Sequence, residues 1–219
     1  MEKTGKLVLR GCATPRTLRV HWAMHELGLD YRCEPIQPRA SSDLNEALAK
    51  LNPQQKVPVL QDNDFVLTES AAIVNYLYAA YGRPAISMAA GDPGKRASYD
   101  AWCYFLMTEL DATSLYVLRR HVGLAQIYGE APAAVASAKA YFQRQIQKVS
   151  DALSDGRPWL LGDTFTGADI LLTSCFVMAK PHDIQLADIL IAYRDRAMAR
   201  AAYAAALTAN SPEAWRATG

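Results

Sequence analysis

The sequence predicts an α/β domain followed by an all-helical domain. Three observations carry this prediction. Short apolar runs alternate with helix-period segments across residues 1–82. A stretch punctuated by Gly82-Arg83-Pro84 and Gly91-Asp92-Pro93-Gly94 follows and reads as a linker. Beyond it, every apolar pattern has helical spacing. The expected division is therefore residues 1–82, a linker at 83–94, and a helical domain at 95–219.

The elements follow in order. Lys6 to Arg10 is a short apolar run ended by Gly11, the pattern of a buried strand. Arg16 to Leu27 places Leu18, Trp22 and Leu27 near one side of a helix, which Gly28 stops. Tyr31 to Ile36 reads as a second strand and Asp43 to Leu51 as a short helix. Val57 to Gln61 and Phe65 to Leu67 are strands joined by Asp62-Asn63-Asp64, a hairpin turn signal. Glu69 to Tyr81 closes the domain as a helix. The order is βαβαββα: the first half fits a parallel βαβ unit, and the last two strands must be antiparallel. In the second half, Lys95 to Val122, Pro132 to Leu153, Thr166 to Met178 and Leu186 to Arg200 are helices, followed by a frayed Ala-rich tail.

Composition narrows the function. The 219 residues are 51% hydrophobic and 21% charged with a net charge of +1, which fits a soluble globular protein. Residues 1–82 hold nine basic and nine acidic side chains, so no basic block is available to track a phosphate backbone, and nucleic acid is not an expected partner. Charges interrupt every apolar run well before the ~20 residues a membrane span needs, so no membrane partner is expected. Cys12, Cys33, Cys103 and Cys175 form no CxxC and no zinc spacing. No disulfide and no metal are expected, and a reducing cytoplasm suits scattered single cysteines.

Chemistry concentrates in two segments. In Lys56-Val57-Pro58-Val59-Leu60, a proline at the entry to a short strand favours an edge or a special turn. A cis bond there would turn the Val57 N–H and C=O outward, suited to an extended peptide-like ligand. Glu69-Ser70 opens a helix, whose free N–H groups suit a carboxylate. The Ser70 hydroxyl adds a donor, and Glu69 can meet a ligand ammonium.

These residues resemble the glutathione-binding half of cytosolic glutathione S-transferases, a thioredoxin-like domain followed by a helical bundle. Lys56-Val57-Pro58 and Glu69-Ser70 match that family's glutathione motif. The resemblance implies a cis Pro58, a Val57 backbone paired with the cysteinyl part of glutathione, and a γ-glutamyl end gripped by Glu69-Ser70. His25-Glu26-Leu27-Gly28-Leu29-Asp30-Tyr31 resembles the family's exit from its first helix. Gly162-Asp163-Thr164-Phe165-Thr166-Gly167-Ala168-Asp169-Ile170 resembles its helical-domain capping motif, with Thr166 and Asp169 as a structural capping box. The resemblance spans nearly the whole chain. It implies glutathione as co-substrate, a small hydrophobic electrophile as second substrate, and a homodimer.

A thiol like free cysteine, with a pKa near about 8.5, is mostly protonated at neutral pH and needs a group that stabilises its anion. Gly11-Cys12-Ala13-Thr14-Pro15-Arg16-Thr17 is the loop that opens the first helix. Thr14-Pro15 falls where several classes of the family place Ser-Pro, Cys-Pro or Thr-Pro, and a hydroxyl before a helix-start proline is also a preferred N-cap. Thr14 is the first candidate for thiol activation and Thr17 the second. Arg16 is a secondary candidate, because a cation in the first helical turn opposes the dipole unless an anion offsets it. Arg19 reads as a solvated arginine. Cys12 lies two residues before the Thr-Pro position, which favours a small buried cysteine over a redox nucleophile. Gln55 stands where many relatives carry Gly and is expected to affect loop shape only.

Tyr99, Trp102 and Leu106 share one helix face at i, i+3 and i+7. They are candidates for the electrophile pocket, with helical-domain core as the competing assignment. The four histidines have no triad or metal spacing. Alternatives on the same scaffold are a glutathione-dependent isomerase, dehalogenase, peroxidase or reductase, or a non-catalytic binding or regulatory protein.

Overall fold

The computed structural model describes residues 7–37, 42–82 and 92–216. The chain divides into two units, Met1–Arg83 with Ala199–Gly219, and Pro84–Met198. Most of the expected linker, residues 83–91, lies outside the described residues.

The first unit is built on β1 (Leu7–Arg10). It pairs in parallel with β2 (Tyr31–Glu34), Leu9 opposite Cys33, and antiparallel with β3 (Val59–Asp62), Leu9 opposite Leu60. The β3 strand pairs antiparallel with β4 (Phe65–Leu67), giving the order β2-β1-β3-β4. Between β1 and β2 runs α1 (Pro15–Glu26), and between β2 and β3 runs α2 (Ser42–Leu51). The helix after β4 is α3 (Ser70–Tyr81). Leu7, Val8 and Leu9 are all buried, as a central strand covered on both faces requires. One sheet face packs Val59 and Ile36 against Leu48 of α2. Leu60, next along the pleat, points to the opposite face. The expected strand from Val57 begins two residues later, because Val57 and Pro58 form a turn with a cis bond.

The second unit is helical. Asp92 caps α4 (Pro93–Phe105), accepting from the N–H groups of Gly94 at 2.9 Å and Lys95 at 3.1 Å. The run continues as a wide π-helical segment (Leu106–Leu115), the short α5 (Tyr116–Leu118) and a second π segment (Arg119–Gly123). The expectation of one uniform helix to Val122 therefore fails in its winding. At Ser114 the side chain joins the wide pattern: its hydroxyl donates to the Glu109 carbonyl, five residues back, at 2.9 Å. Next come α6 (Ala125–Tyr128), α7 (Pro132–Leu153), α8 (Gly167–Ala179) and α9 (Asp188–Met198). Every residue of α8 except Val177 is buried, so it is the core helix of this unit.

Asp169 anchors α8. One carboxylate oxygen accepts from the Thr166 N–H at 2.7 Å and the Thr166 hydroxyl at 2.9 Å. The other accepts from the Leu160 N–H at 2.8 Å and from the Tyr193 hydroxyl. The capping box expected from Thr166 and Asp169 is present.

The expected frayed tail is instead α10 (Ala201–Ala209) and α11 (Glu213–Arg216), within the first unit. Small alanines let α10 lie close on α1, and Trp22 packs edge-on against Tyr203 with ring centres 4.7 Å apart. Arg200 grips both oxygens of Glu26 at 2.6 and 2.7 Å, and the Trp22 indole N–H donates to the same carboxylate at 2.9 Å. The described residues contain no helix long and apolar enough to cross a membrane.

Candidate functional site

Three loops of the first unit carry the catalytic and glutathione-binding candidates of the sequence. The first joins β1 to α1. Gly11 has φ +122°, and a Cβ placed on it would lie 2.6 Å from the Val57 Cβ and 2.9 Å from the Thr17 methyl. Glycine is needed there for the backbone and for the approach of Val57. Ala13 follows in the left-handed region, φ +59°. Thr14 then adopts extended backbone and caps α1: its Oγ1 accepts from the Thr17 N–H at 3.0 Å. Reciprocally, the Thr17 Oγ1 accepts from the Thr14 N–H at 3.0 Å. Pro15 at the first helical position loses no bond that the helix needs.

The two threonines differ in access. Thr17 is 0% exposed and its hydroxyl donates to Asn210 Oδ1 at 2.7 Å, whereas Thr14 is 6% exposed. Arg16 lies half-buried on the first turn of α1.

The second loop leads into β3. Asn52 organises it: its Oδ1 accepts from the Gln54 N–H at 3.1 Å, its carbonyl from the Gln55 N–H at 2.8 Å, and its Nδ2 donates to the Lys56 carbonyl at 2.9 Å. Gln55 has φ +52°, a conformation that glycine adopts without cost, so loop shape is the physical meaning of this position. Lys56 is exposed, Val57 half-buried and Pro58 buried. The Val57–Pro58 bond is cis. Among the described residues the Val57 N–H and C=O have no hydrogen-bond partner.

The third loop opens α3. Glu69 is exposed and sits at φ +65°, ψ +111°, outside the regions that non-glycine residues ordinarily occupy. Such backbone costs about 1–3 kcal/mol and clusters at ligand clamps. Ser70 is buried, and Arg19 Nη1 donates to its Oγ at 3.1 Å. Arg19 is only 1% exposed, which corrects its reading as a solvated side chain. The first turn of α3 contains no acidic residue, so the helix N-terminus and the guanidinium act together as a positive field behind Ser70.

Three left-handed residues, Ala13, Gln55 and Glu69, thus occupy the three loops. Gly11, Arg19, Asn52 and Asn210 shape them, and none was assigned a site role from sequence. Gly11 carries a signal in its position after a strand, and Arg19 a weak one as a cation near the start of a helix; Asn210 has none, since its partner lies 193 residues away.

Cys12 is 0% exposed, and all four cysteines are buried. Burial and the neighbouring Cys12 push the Cys33 thiol up to about 12. His21 is buried against the Tyr31 hydroxyl at 2.6 Å, and burial lowers its pKa to about 4.

In the second unit, Tyr99 and Leu106 are 2% and 0% exposed and belong to the helical core. Their i, i+7 spacing is the inward face of the helix. Trp102 is half-buried, its ring 5.8 Å from that of Phe105 and 4.9 Å from the Lys148 ammonium.

Residues 7–79 match the family model described as "Glutathione S-transferase, N-terminal domain". Over 166 residues the sequence is 30% identical to glutathione S-transferase D7 of Drosophila melanogaster, covering 72% of this chain and 67% of that protein. The chain belongs to the glutathione S-transferase family. Among solved structures, a Methylococcus capsulatus glutathione transferase superimposes with a TM-score of 0.73 at 27% identity, over 93% of this chain and 98% of that one. A theta class glutathione S-transferase from Xanthomonas axonopodis pv. citri, solved with glutathione bound, gives 0.71 at 25% identity over the same shares. This transferase therefore pairs a thioredoxin-like domain with a helical one, as the sequence predicts.

Proposed function

We propose that this glutathione transferase conjugates the glutathione thiolate to small apolar electrophiles, with Thr14 as the hydroxyl that stabilises the thiolate. The carrying observation is the hydroxyl geometry at the start of α1. The buried Thr17 hydroxyl is engaged by Asn210, while the Thr14 oxygen accepts from a backbone N–H and keeps its own proton to donate. A thiolate is a stronger acceptor than the neutral Thr17 oxygen 3.0 Å away, so it would draw that proton. The helix N-terminus adds its dipole to the same end.

Glutathione, when bound, supplies the nucleophilic sulfur; the protein supplies orientation and charge stabilisation. The Val57 N–H and C=O, which have no hydrogen-bond partner among the described residues, suit the cysteinyl backbone as an added strand. Ser70, backed by Arg19 and the α3 N-terminus, suits the γ-glutamyl carboxylate, and the exposed Glu69 suits its ammonium. Lys56 supports the glycyl end, and Arg16 offers a second cation near the thiolate. Of Tyr99, Trp102 and Leu106, Trp102 is the one that is not buried in the helical core and stays the candidate for electrophile contact. Family membership also supports a homodimer.

The test is turnover of a chlorinated nitroaromatic acceptor by Thr14→Val, Thr14→Ala and Thr14→Ser. Val and Ala are expected to lower kcat about 10²-fold, the scale for losing one donor to a developing anion, and Ser to retain most activity. Wild-type turnover and thiolate absorbance in Thr14→Val would remove the assignment.

A further inference from the structure

We propose that Asn210 is a positioning residue for thiol activation: it sets which way the Thr14–Thr17 hydroxyl pair donates. This rests on Thr14 as the thiolate donor.

Asn210 makes three hydrogen bonds to the loop that opens α1. Its carbonyl accepts from the Ala13 N–H at 2.8 Å, its Nδ2 donates to the Thr14 carbonyl at 3.2 Å, and its Oδ1 accepts from the Thr17 hydroxyl at 2.7 Å. The amide has one acceptor end and one donor end. A backbone carbonyl can only accept, so the donor end must face Thr14 and the acceptor end must face Thr17. That assignment has a consequence for the protons. The Thr14 carbonyl already accepts from the Leu18 N–H at 3.0 Å as well as from Asn210. The single Thr17 hydroxyl proton therefore goes to Asn210 Oδ1 at 2.7 Å in preference to the doubly filled Thr14 carbonyl at 2.9 Å.

Thr17 Oγ1 is then left with lone pairs only toward Thr14. It accepts from the Thr14 N–H and is available to the Thr14 hydroxyl, each at 3.0 Å. It cannot donate back. The one hydroxyl proton between the two threonines belongs to Thr14, whose oxygen is already filled on one side by the Thr17 N–H. The Thr14 side chain is thus polarised as a donor before any ligand arrives. Asn210 also ties down Ala13, whose φ of +59° would relax if the tie were lost.

The residue is well placed to be held still. It follows α10, which is fastened to α1 by the Arg200–Glu26 pair and by Trp22 against Tyr203. A loss at Asn210 should therefore act locally rather than by unfolding the first unit.

The experiment measures the pKa of the bound glutathione thiol, from thiolate absorbance against pH, in wild type, Asn210→Ala, Thr14→Val and the double variant. Asn210→Ala is expected to raise the thiol pKa by about half to one unit, worth up to about tenfold in thiolate population at neutral pH. It should lower kcat correspondingly, with KM for glutathione little changed and activity recovering as pH rises. In the Thr14→Val background the Asn210 effect should disappear, because the two act through one hydroxyl. Where Asn210→Ala fails to fold, the near-isosteric Asn210→Asp decides; it turns an acceptor toward the Thr14 carbonyl and is expected to shift the thiol upward as well. An unchanged thiol pKa in a folded Asn210 variant, or an equal shift with Thr14→Val present, overturns the proposal. An unchanged thiol pKa in Thr14→Val alone overturns the underlying reading of Thr14, and this proposal with it.

Discussion

Arg19 donates to the Ser70 hydroxyl across 3.1 Å, joining the second turn of α1 to the first residue of α3. Both side chains are buried, Arg19 to 1% and Ser70 to 5% exposure. A guanidinium removed from water is costly unless hydrogen-bonded. Here it fills a lone pair of Ser70 and leaves the Ser70 proton to donate outward, toward the helix start where a carboxylate is favoured.

Replacing Arg19 by Met should weaken glutathione binding more than chemistry. A hydrogen bond to a charged group is worth about 1.5–3 kcal/mol, so KM for glutathione should rise about tenfold or more while kcat changes less. Lys should rescue poorly, because one ammonium lacks the planar fork of the guanidinium. Steady-state kinetics over glutathione concentration check this; an equal loss in kcat with KM unchanged would count against a binding role.

Gly11 should tolerate no side chain. Its φ of +122° and the 2.6 Å approach of the Val57 Cβ mean that Gly11→Ala must move either the α1 loop or the cis-proline loop. The expected cost is about 3 kcal/mol, combining overpacking with an unfavourable backbone. Urea unfolding measures it. The companion Val57→Gly, which vacates the clash, should recover part of the loss in the double variant.

Local features are legible in the sequence. The βαβαββα order follows from alternating periods and glycine stops, and Val57-Pro58 and Glu69-Ser70 gain meaning from their spacing within that order, since alone the first reads equally as a turn proline and the second as an ordinary helix cap. Arg19 reads as solvated because a cation in the second turn of a helix ordinarily reaches water; its burial is set by Ser70, 51 residues on. Asn210 had no local signature, since its meaning comes from Thr17, 193 residues before it. The Ala-rich tail looked frayed because small side chains carry little apolar pattern, yet that smallness is what lets α10 approach α1. The wide turns of 106–115 share the apolar spacing of an ordinary helix and were invisible for that reason.

Acid should destabilise the first unit through His21. Burial lowers its pKa to about 4 from an ordinary value of 6.5. The unfolded chain therefore takes up a proton as pH falls below about 6.5 while the folded chain does not until about 4, so stability declines across that window. The contribution reaches at most about 3 kcal/mol. His25, also lowered by burial, acts in the same direction. Urea unfolding at pH 7, 6 and 5 should show the decline, and His21→Gln should flatten it; an unchanged slope would assign the acid sensitivity elsewhere.

Asp169 should be the most sensitive position of the second unit. Its two oxygens satisfy the Thr166 N–H and hydroxyl, the Leu160 N–H and the Tyr193 hydroxyl, all in a fully buried setting. Asp169→Asn replaces one acceptor oxygen with a donor, so two of the four donors must lose their partner whichever way the amide turns. Each unsatisfied buried donor costs about 1–3 kcal/mol, so the variant should lose about 2–6 kcal/mol. Tyr193→Phe removes a single donor and leaves the carboxylate its other three, so it should cost about 1 kcal/mol. The ordering of the two variants in urea unfolding separates a cap acting through Asp169 from general core packing, which would penalise the two changes alike.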